Sequence, residues 1–294
     1  MKINICALSD IGKERTNNED AYSFCSDLGR QIWDNSTKNE YAILSPFGAV
    51  SIIADGMGGA YSGEIAASLA IENMRKSFKS ANYEKILCSD DAIYSFLVDC
   101  ITQSNKAILN YARNHPDSIG LGTTIVLLWI IGEKAYIVWC GDSRCYCFNP
   151  NYGLKLLTRD HSLVQELVDK GKLKAEDTFN HPDNNIVTRC LGDVGADPKP
   201  EFQTYKVNEG DIFLLCSDGL CGYCRDKNIE NVMYKCYDNI DGCQHSLLQL
   251  ALEAGGQDNI SISLCATQHE HHKNHEISLI SKMKRFILKL KNKD

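Results

Sequence analysis

The sequence predicts an α+β fold of layered helices and strands, and three observations lead there. Two long stretches with helical spacing of apolar residues occupy much of residues 62–114. A block of turn-punctuated apolar runs follows them, and two helices followed by hairpins is the pattern of a layered α+β domain. The 294 residues carry 44% hydrophobic and 23% charged side chains, enough for a sizeable core, with no repeat or low-complexity tract to divide it. One domain followed by a tail is therefore expected.

Residues 1–8 and 20–25 read as short strands, and "GAVSIIA" (48–54) is a continuous apolar run suited to a buried strand. Ser62 is a candidate helix N-cap, and from Gly63 to Phe78 the residues Ile65, Leu69 and Met74 fall roughly on one face. A second helix is expected over Asp90–Asn114, where Ile93, Leu97, Cys100, Ser104, Ala107 and Tyr111 recur every three or four residues before Pro116. The β-rich block runs through "GTTIVLLWII", the turn "GEK", "AYIVWCGDSRCYCF" and, after the turn signal "NPNYG", "LKLLT". Residues 161–192 break the rhythm: a short helix "SLVQELVDKG", ended by Gly171, and a polar stretch through "HPDNN" read as a flap attached to the sheet. "DIFLLCSDGL" is another buried strand, 226–254 are mostly helical, and "NISISLCA" is the last strand.

The net charge of −7 opposes general nucleic-acid affinity. Residues 268–294 hold seven Lys or Arg against three Asp or Glu, a local +4 that leaves −11 on the remaining 267. That tail carries four of the eight histidines, and its Ile280, Met283, Ile287 and Leu290 share a face, so a disordered end, a helix docked on a partner and an interfacial membrane helix all stay open. The start turns polar after eight residues and no run of some eighteen apolar residues follows, so a cytoplasmic monomer is expected. Fourteen cysteines are then expected as reduced thiols, with Cys145 and Cys147 on one side of a strand and the Cys221/Cys224 pair structural.

Asp55, Asp142, Asp218 and Asp258 each stand at the edge of an apolar strand, in "IIADG", "VWCGDS", "LLCSDG" and "GGQDNISIS", and Asp20 in "NNED" precedes another. One Asp-Gly alone reads as a turn. Four such acids point to a shared site, where carboxylates are costly unless something positive compensates them. Arg15 and Arg144, the nearest cations in the chain, cannot neutralise five acids. Hard divalent ions, which take oxygen ligands and keep several waters, are the economical explanation.

In this order, "RTNNED", "DGMGG", "GTT", "GDSR", "SDG" and "QDNIS" resemble the metal-dependent serine/threonine protein phosphatases of type 2C over residues 1 to about 266, and the 161–192 segment is similar to that of compact bacterial members. The resemblance implies a four-layer αββα sandwich of two antiparallel sheets flanked by helices, with a small flap subdomain. It implies a catalytic domain over 1–267, its flap at about 161–192, and a tail at 268–294. Asp55 would bridge two ions, with the Gly56 carbonyl on one of them and the neighbouring glycines letting that oxygen turn toward metal. Asp218 and Asp258 would complete one shell, Glu19 or Asp20 would reach the other ion partly through water, and Asp142 with Asp218 would hold a third, weaker ion. The implied cofactors are two or three Mn²⁺ or Mg²⁺ ions.

Arg15 matches the arginine that grips substrate phosphate, a task suited to its bidentate fork, and with Asp55 it forms the implied catalytic pair. The implied reaction is hydrolysis of phosphoserine and phosphothreonine in proteins by hydroxide bridging two ions about 4 Å apart, with no phosphoenzyme. Phosphoproteins, and the bacterial serine/threonine kinases that the enzyme would oppose, are the implied partners. Met57 stands where animal relatives have a histidine proposed as acid; methionine donates no proton, which leaves the task to water, and His161 reads as structural. A thiolate mechanism is disfavoured, because "CLGDVGADP" at Cys190 comes nearest to an anion-cradling loop and lacks the arginine. Two alternatives stay open: a catalytically silent regulator that binds phosphoproteins, and a phosphatase dedicated to a regulatory switch protein.

Overall fold

The computed structural model describes residues 1–34, 41–58, 62–118 and 120–268. Strands are numbered β1 to β13 along the chain. One sheet joins β1 (Lys2–Asp10), β4 (Ala42–Ile43), β9 (Arg144–Asn149), β10 (Gly153–Leu156), β12 (Ile212–Cys216) and β13 (Ile260–Gln268) in the order β10-β9-β12-β13-β1-β4. The second joins β2 (Asp20–Asp27), β3 (Ile32–Trp33), β5 (Ala49–Met57), β7 (Ile125–Ile131), β8 (Lys134–Cys140) and β11 (Glu201–Lys206) in the order β11-β8-β7-β5-β2-β3, with β6 (Gly122–Thr123) on the end of β5. All of these pairings are antiparallel. The helices are α1 (Ser62–Lys79), α2 (Tyr83–Ile86), α3 (Asp90–Asn114), α4 (Leu163–Asp169), α5 (Asp218–Cys221), α6 (Asp226–Cys236) and α7 (Ile240–Glu253).

The strands read as unbroken apolar runs because both faces of each sheet are covered. In β7, Ile125, Leu127 and Trp129 pack under α1 and α3, while Val126, Leu128 and Ile130 face the other sheet. In β12, Ile212 and Leu214 pack against α6 and α7, while Phe213 and Leu215 turn inward. Three apolar layers between four structural layers make the αββα sandwich that the motifs implied. A polar bridge crosses its middle, where the buried hydroxyls of Ser51 on β5 and Ser263 on β13 lie 2.8 Å apart. Phe78, fully buried, meets Phe96 and Trp129 edge to face at 5.2 and 5.1 Å. Phe78→Ala should cost about 3–5 kcal/mol of stability, read as a lower urea midpoint at unchanged m.

The helix expected over Asp90–Asn114 has those bounds, and Ser89 caps it by accepting the Ala92 N–H at 3.1 Å. Both expected ends of the first helix lie within one residue of α1. Cys145 and Cys147 share the inter-sheet face, Cys221 and Cys224 are buried under α6 and α7, and none of the fourteen thiols is in a disulfide. The strand expected at 48–54 is longer: β5 continues through Asp55 and Gly56 to Met57, because Asp20 on β2 pairs opposite Asp55 and Thr123 opposite Gly56. Strand β11, α2, α5 and the two-residue strands β3 and β4 had no counterpart in the sequence reading. The last strand ends at Gln268, and the amphipathic tail lies outside the described residues. Among the described residues no helix is long and apolar enough to cross a membrane.

Candidate metal centre

The antiparallel pairing of β2 and β5 sets Asp20 and Asp55 opposite each other. The turn between β8 and β9 supplies Asp142, α5 begins with Asp218 immediately after β12, and Asp258 precedes β13. Asp55 is the hub of the group, within the field of the other four carboxyls. Burial pushes Asp55 well above the ordinary carboxylate value, and repulsion from Asp20, Asp218, Asp142 and Asp258 adds to it. Asp142 is raised likewise, by burial and then by Asp218 and Asp160. Burial lifts Asp20 to about 7 and Asp218 to about 6, with Asp258 contributing to both. Acids separated by more than two hundred residues therefore meet at one end of the sandwich.

What these acids lack is a counter-charge. Arg15 is the nearest cation, half exposed, and its Nη2 donates to Asp258 Oδ2 at 2.7 Å. Arg144 is committed elsewhere, with Nε and Nη2 donating to Asp160 at 2.9 and 2.7 Å. Asp20 Oδ2 accepts from Ser217 Oγ at 2.8 Å, whereas Asp20 Oδ1 is buried with no hydrogen-bond partner among the described residues. An orphaned carboxylate oxygen among mutually repelling carboxyls fits a divalent cation. No cage of three or more His, Cys, Asp or Glu side chains stands closed around a point among the described residues. An ion held here would therefore need water or backbone carbonyl among its ligands, as Mg²⁺ and Mn²⁺ accept.

Glu19 sits at the rim, raised by burial and eased by Arg15, with its carboxylate beside Gly63. Asp20, deeper in the cluster, is the better placed of that pair. Close packing requires glycine at position 56. It lies in strand pairing without positive φ, and a Cβ there would stand 2.3 Å from the Gly63 carbonyl oxygen and 2.4 Å from that of Glu19. Gly56→Ala should therefore push β5 away from α1 and lower Tm by about 5 °C or more, a shift that scanning calorimetry would resolve.

The sequence reading gave no role to the residues that hold the acids in place. Asn259 accepts the Glu19 N–H at 2.8 Å and donates to the carbonyls of Ile11 and Asn17 at 3.0 and 2.9 Å, tying the β1–β2 loop to β13. Thr124 Oγ1 accepts the Asp55 N–H at 3.2 Å and bonds Ser143 Oγ at 2.7 Å, joining β5 to the Asp142 turn. Asn259 lies beside Asp258 in "QDNIS" and Ser143 beside Asp142 in "GDSR", which was the available signal, whereas Thr124 ends "GTT", far in sequence from the acid it holds. His161 is structural, as expected. Its Nδ1 accepts the Gly141 N–H at 3.1 Å, its Nε2 lies 3.2 Å from Glu201, and its ring stacks on Trp139. Burial raises the Cys190 thiol to about 11, which does not suit a nucleophile.

Residues 38–249 match the family described as protein phosphatase 2C, and the chain belongs to that family. It is a serine/threonine phosphatase of this type. The serine/threonine phosphatase stp of Listeria monocytogenes is 35% identical over 217 residues, covering 73% of this chain and 83% of that protein. Stp1 from Staphylococcus aureus superposes with a TM-score of 0.78 at 28% identity, covering 90% of this chain and 95% of that one. The catalytic domain of the phosphatase PstP, solved in complex with two manganese ions, gives 0.72 at 28% identity, with 91% and 99% covered.

Proposed function

We propose that the chain removes phosphate from phosphoserine and phosphothreonine in proteins with the help of bound Mn²⁺ or Mg²⁺, reversing what serine/threonine kinases add. The observation that carries this reading is the convergence of Asp20, Asp142, Asp218 and Asp258 on Asp55, with an Asp20 oxygen that has no hydrogen-bond partner among the described residues and Arg15 at the rim. Asp20, Asp55, Asp218 and Asp258, with the Gly56 carbonyl, would hold two ions, and Asp142 with Asp218 a third. When bound, the ions supply Lewis acidity that activates water and offsets the charge of the phosphoryl group. Arg15 binds the phosphate oxygens. For that its fork must turn from Asp258, and a cation at Asp258 would favour the turn by taking over the charge that Arg15 now compensates. Thr124, Ser217 and Asn259 fix the carboxyls so that little reorganisation is left for the reaction. In this proposal residues 1–267 are the catalytic domain, 161–192 its flap and 268–294 an appended tail.

Hydrolysis of a phosphothreonine peptide with Mn²⁺ and with EDTA tests the reading. Turnover with Mn²⁺ and near-complete loss in EDTA are expected. Activity that survives EDTA would reject the metal mechanism, and phosphopeptide binding without turnover would favour a silent regulator.

A further inference from the structure

A groove of about 820 Å³ shares Asp142 and Asp218 with the acid cluster and runs between the 161–192 segment and the chain around α5 and the start of α6. Two arginines line it, and their situations differ. Arg144 is saturated: besides Asp160 it donates to Tyr146 Oη at 2.8 Å and reaches Asp226 Oδ1 at 3.5 Å. Arg225, exposed at the N-cap of α6, has no carboxylate within ion-pairing distance among the described residues. Its guanidinium carbon lies 4.4 Å over the ring of Phe179, which belongs to the 3₁₀ turn Ala175–Asn180 on the opposite wall. Stacking holds the plane of the guanidinium while leaving its in-plane N–H groups free for a carboxylate.

Two of the groove's other charges, Asp160 and Asp226, are tied to Arg144, and Asp142 and Asp218 belong to the metal centre. Among the described residues, what an extended substrate meets beyond the phosphate site is therefore one oriented, uncompensated cation. We propose that Arg225, positioned by Phe179, determines specificity by pairing with an acidic side chain that flanks the phosphorylated residue, so that the enzyme favours phosphopeptides rich in Asp or Glu. The inference rests on the phosphatase reading above and adds the chemistry of the substrate to it. A single exposed ion pair of this kind discriminates by about threefold, and less as salt rises.

Two phosphothreonine peptides, identical except for Asp or Lys at the flanking positions, are compared by kcat/KM with Mn²⁺ at low ionic strength. The wild-type protein should favour the Asp peptide about threefold, chiefly through KM. Arg225→Gln should bring the ratio to about one, Arg225→Glu should invert it, and Phe179→Ala should shrink it by loosening the guanidinium. A wild-type ratio near one, or an unchanged ratio in Arg225→Glu, overturns the proposal. Hydrolysis of p-nitrophenyl phosphate by the wild-type protein separates the two failures. If that ester and both peptides are inert, the phosphatase reading falls and takes this one with it, whereas turnover of the ester with a flat peptide ratio sinks the role of Arg225 alone.

Discussion

Asp218→Asn should reduce Mn²⁺-dependent turnover of a phosphothreonine peptide by at least about a hundredfold, and it should raise the melting temperature of the metal-free protein. The two effects have one cause. Asp218 adds to the repulsion on Asp55 and itself stands in the repulsive field of Asp258 and Asp160. The amide is nearly isosteric, so packing survives while one charge leaves a cluster that already holds too many. Metal-free stability gains by that loss. In the proposed centre the same loss would take away a hard anionic ligand, and a neutral amide is a poor replacement toward Mg²⁺ or Mn²⁺. A control comes from Asp90, an exposed acid whose partners Lys134 and Tyr136 lie outside the cluster. Asp90→Asn should leave turnover unchanged and should not stabilise the protein. Near-normal turnover in Asp218→Asn, or a fall in its metal-free melting temperature, would remove Asp218 from the metal centre.

How much of this was legible in the chain depends on how local each feature is. The bounds of α3 are written in Ser89, in the three-and-four spacing from Ile93 to Tyr111 and in Pro116, all within the segment itself. Strand β11 was missed because Glu201–Lys206 is an edge strand, half-exposed along most of its length, whose only sheet partner among the described residues is β8. Without a second covered face it has no apolar run to announce it. The five aspartates were recognisable one at a time, yet their meeting depends on pairings between β2 and β5, β12 and β13, and β1 and β13 that no window of sequence contains. Even the end of β5 was misjudged for this reason. Asp55 looked like a strand tip because the apolar run stops at Ala54, whereas its partners Asp20 and Thr124 continue the strand from remote parts of the chain. The commitment of Arg144 to Asp160 and Asp226 was equally invisible, and it is what leaves Arg225, among the described residues, as the free cation of the groove.

Metal-free protein in EDTA should lose stability as the pH rises from 5 to 8, and Mn²⁺ should restore it most strongly at the upper end. Unfolded aspartate titrates near 3.8, whereas in the folded protein Asp20 is held up to about 7 and Asp218 to about 6. Groups whose folded value is raised bind their protons more tightly in the native state. Their stabilising contribution is complete below the unfolded value and is lost as pH climbs through the folded values, which here means between about pH 4 and pH 7. With water at the mouth of the site, the loss between pH 5 and pH 8 should be of the order of 2 kcal/mol, or roughly 5 °C in Tm. Protons and divalent ions compete for the same oxygens, so Mn²⁺ binds weakly at pH 5 and tightly at pH 8. At a hundred times its dissociation constant, one ion adds about 2.7 kcal/mol, enough to reverse the slope of Tm against pH. Asp218→Asn should flatten the EDTA profile, because it removes one of the groups whose ionisation drives it. A melting temperature in EDTA that stays level or rises from pH 5 to 8, with no upward shift on adding Mn²⁺ at pH 8, would mean that the clustered carboxyls neither repel one another nor wait for a cation.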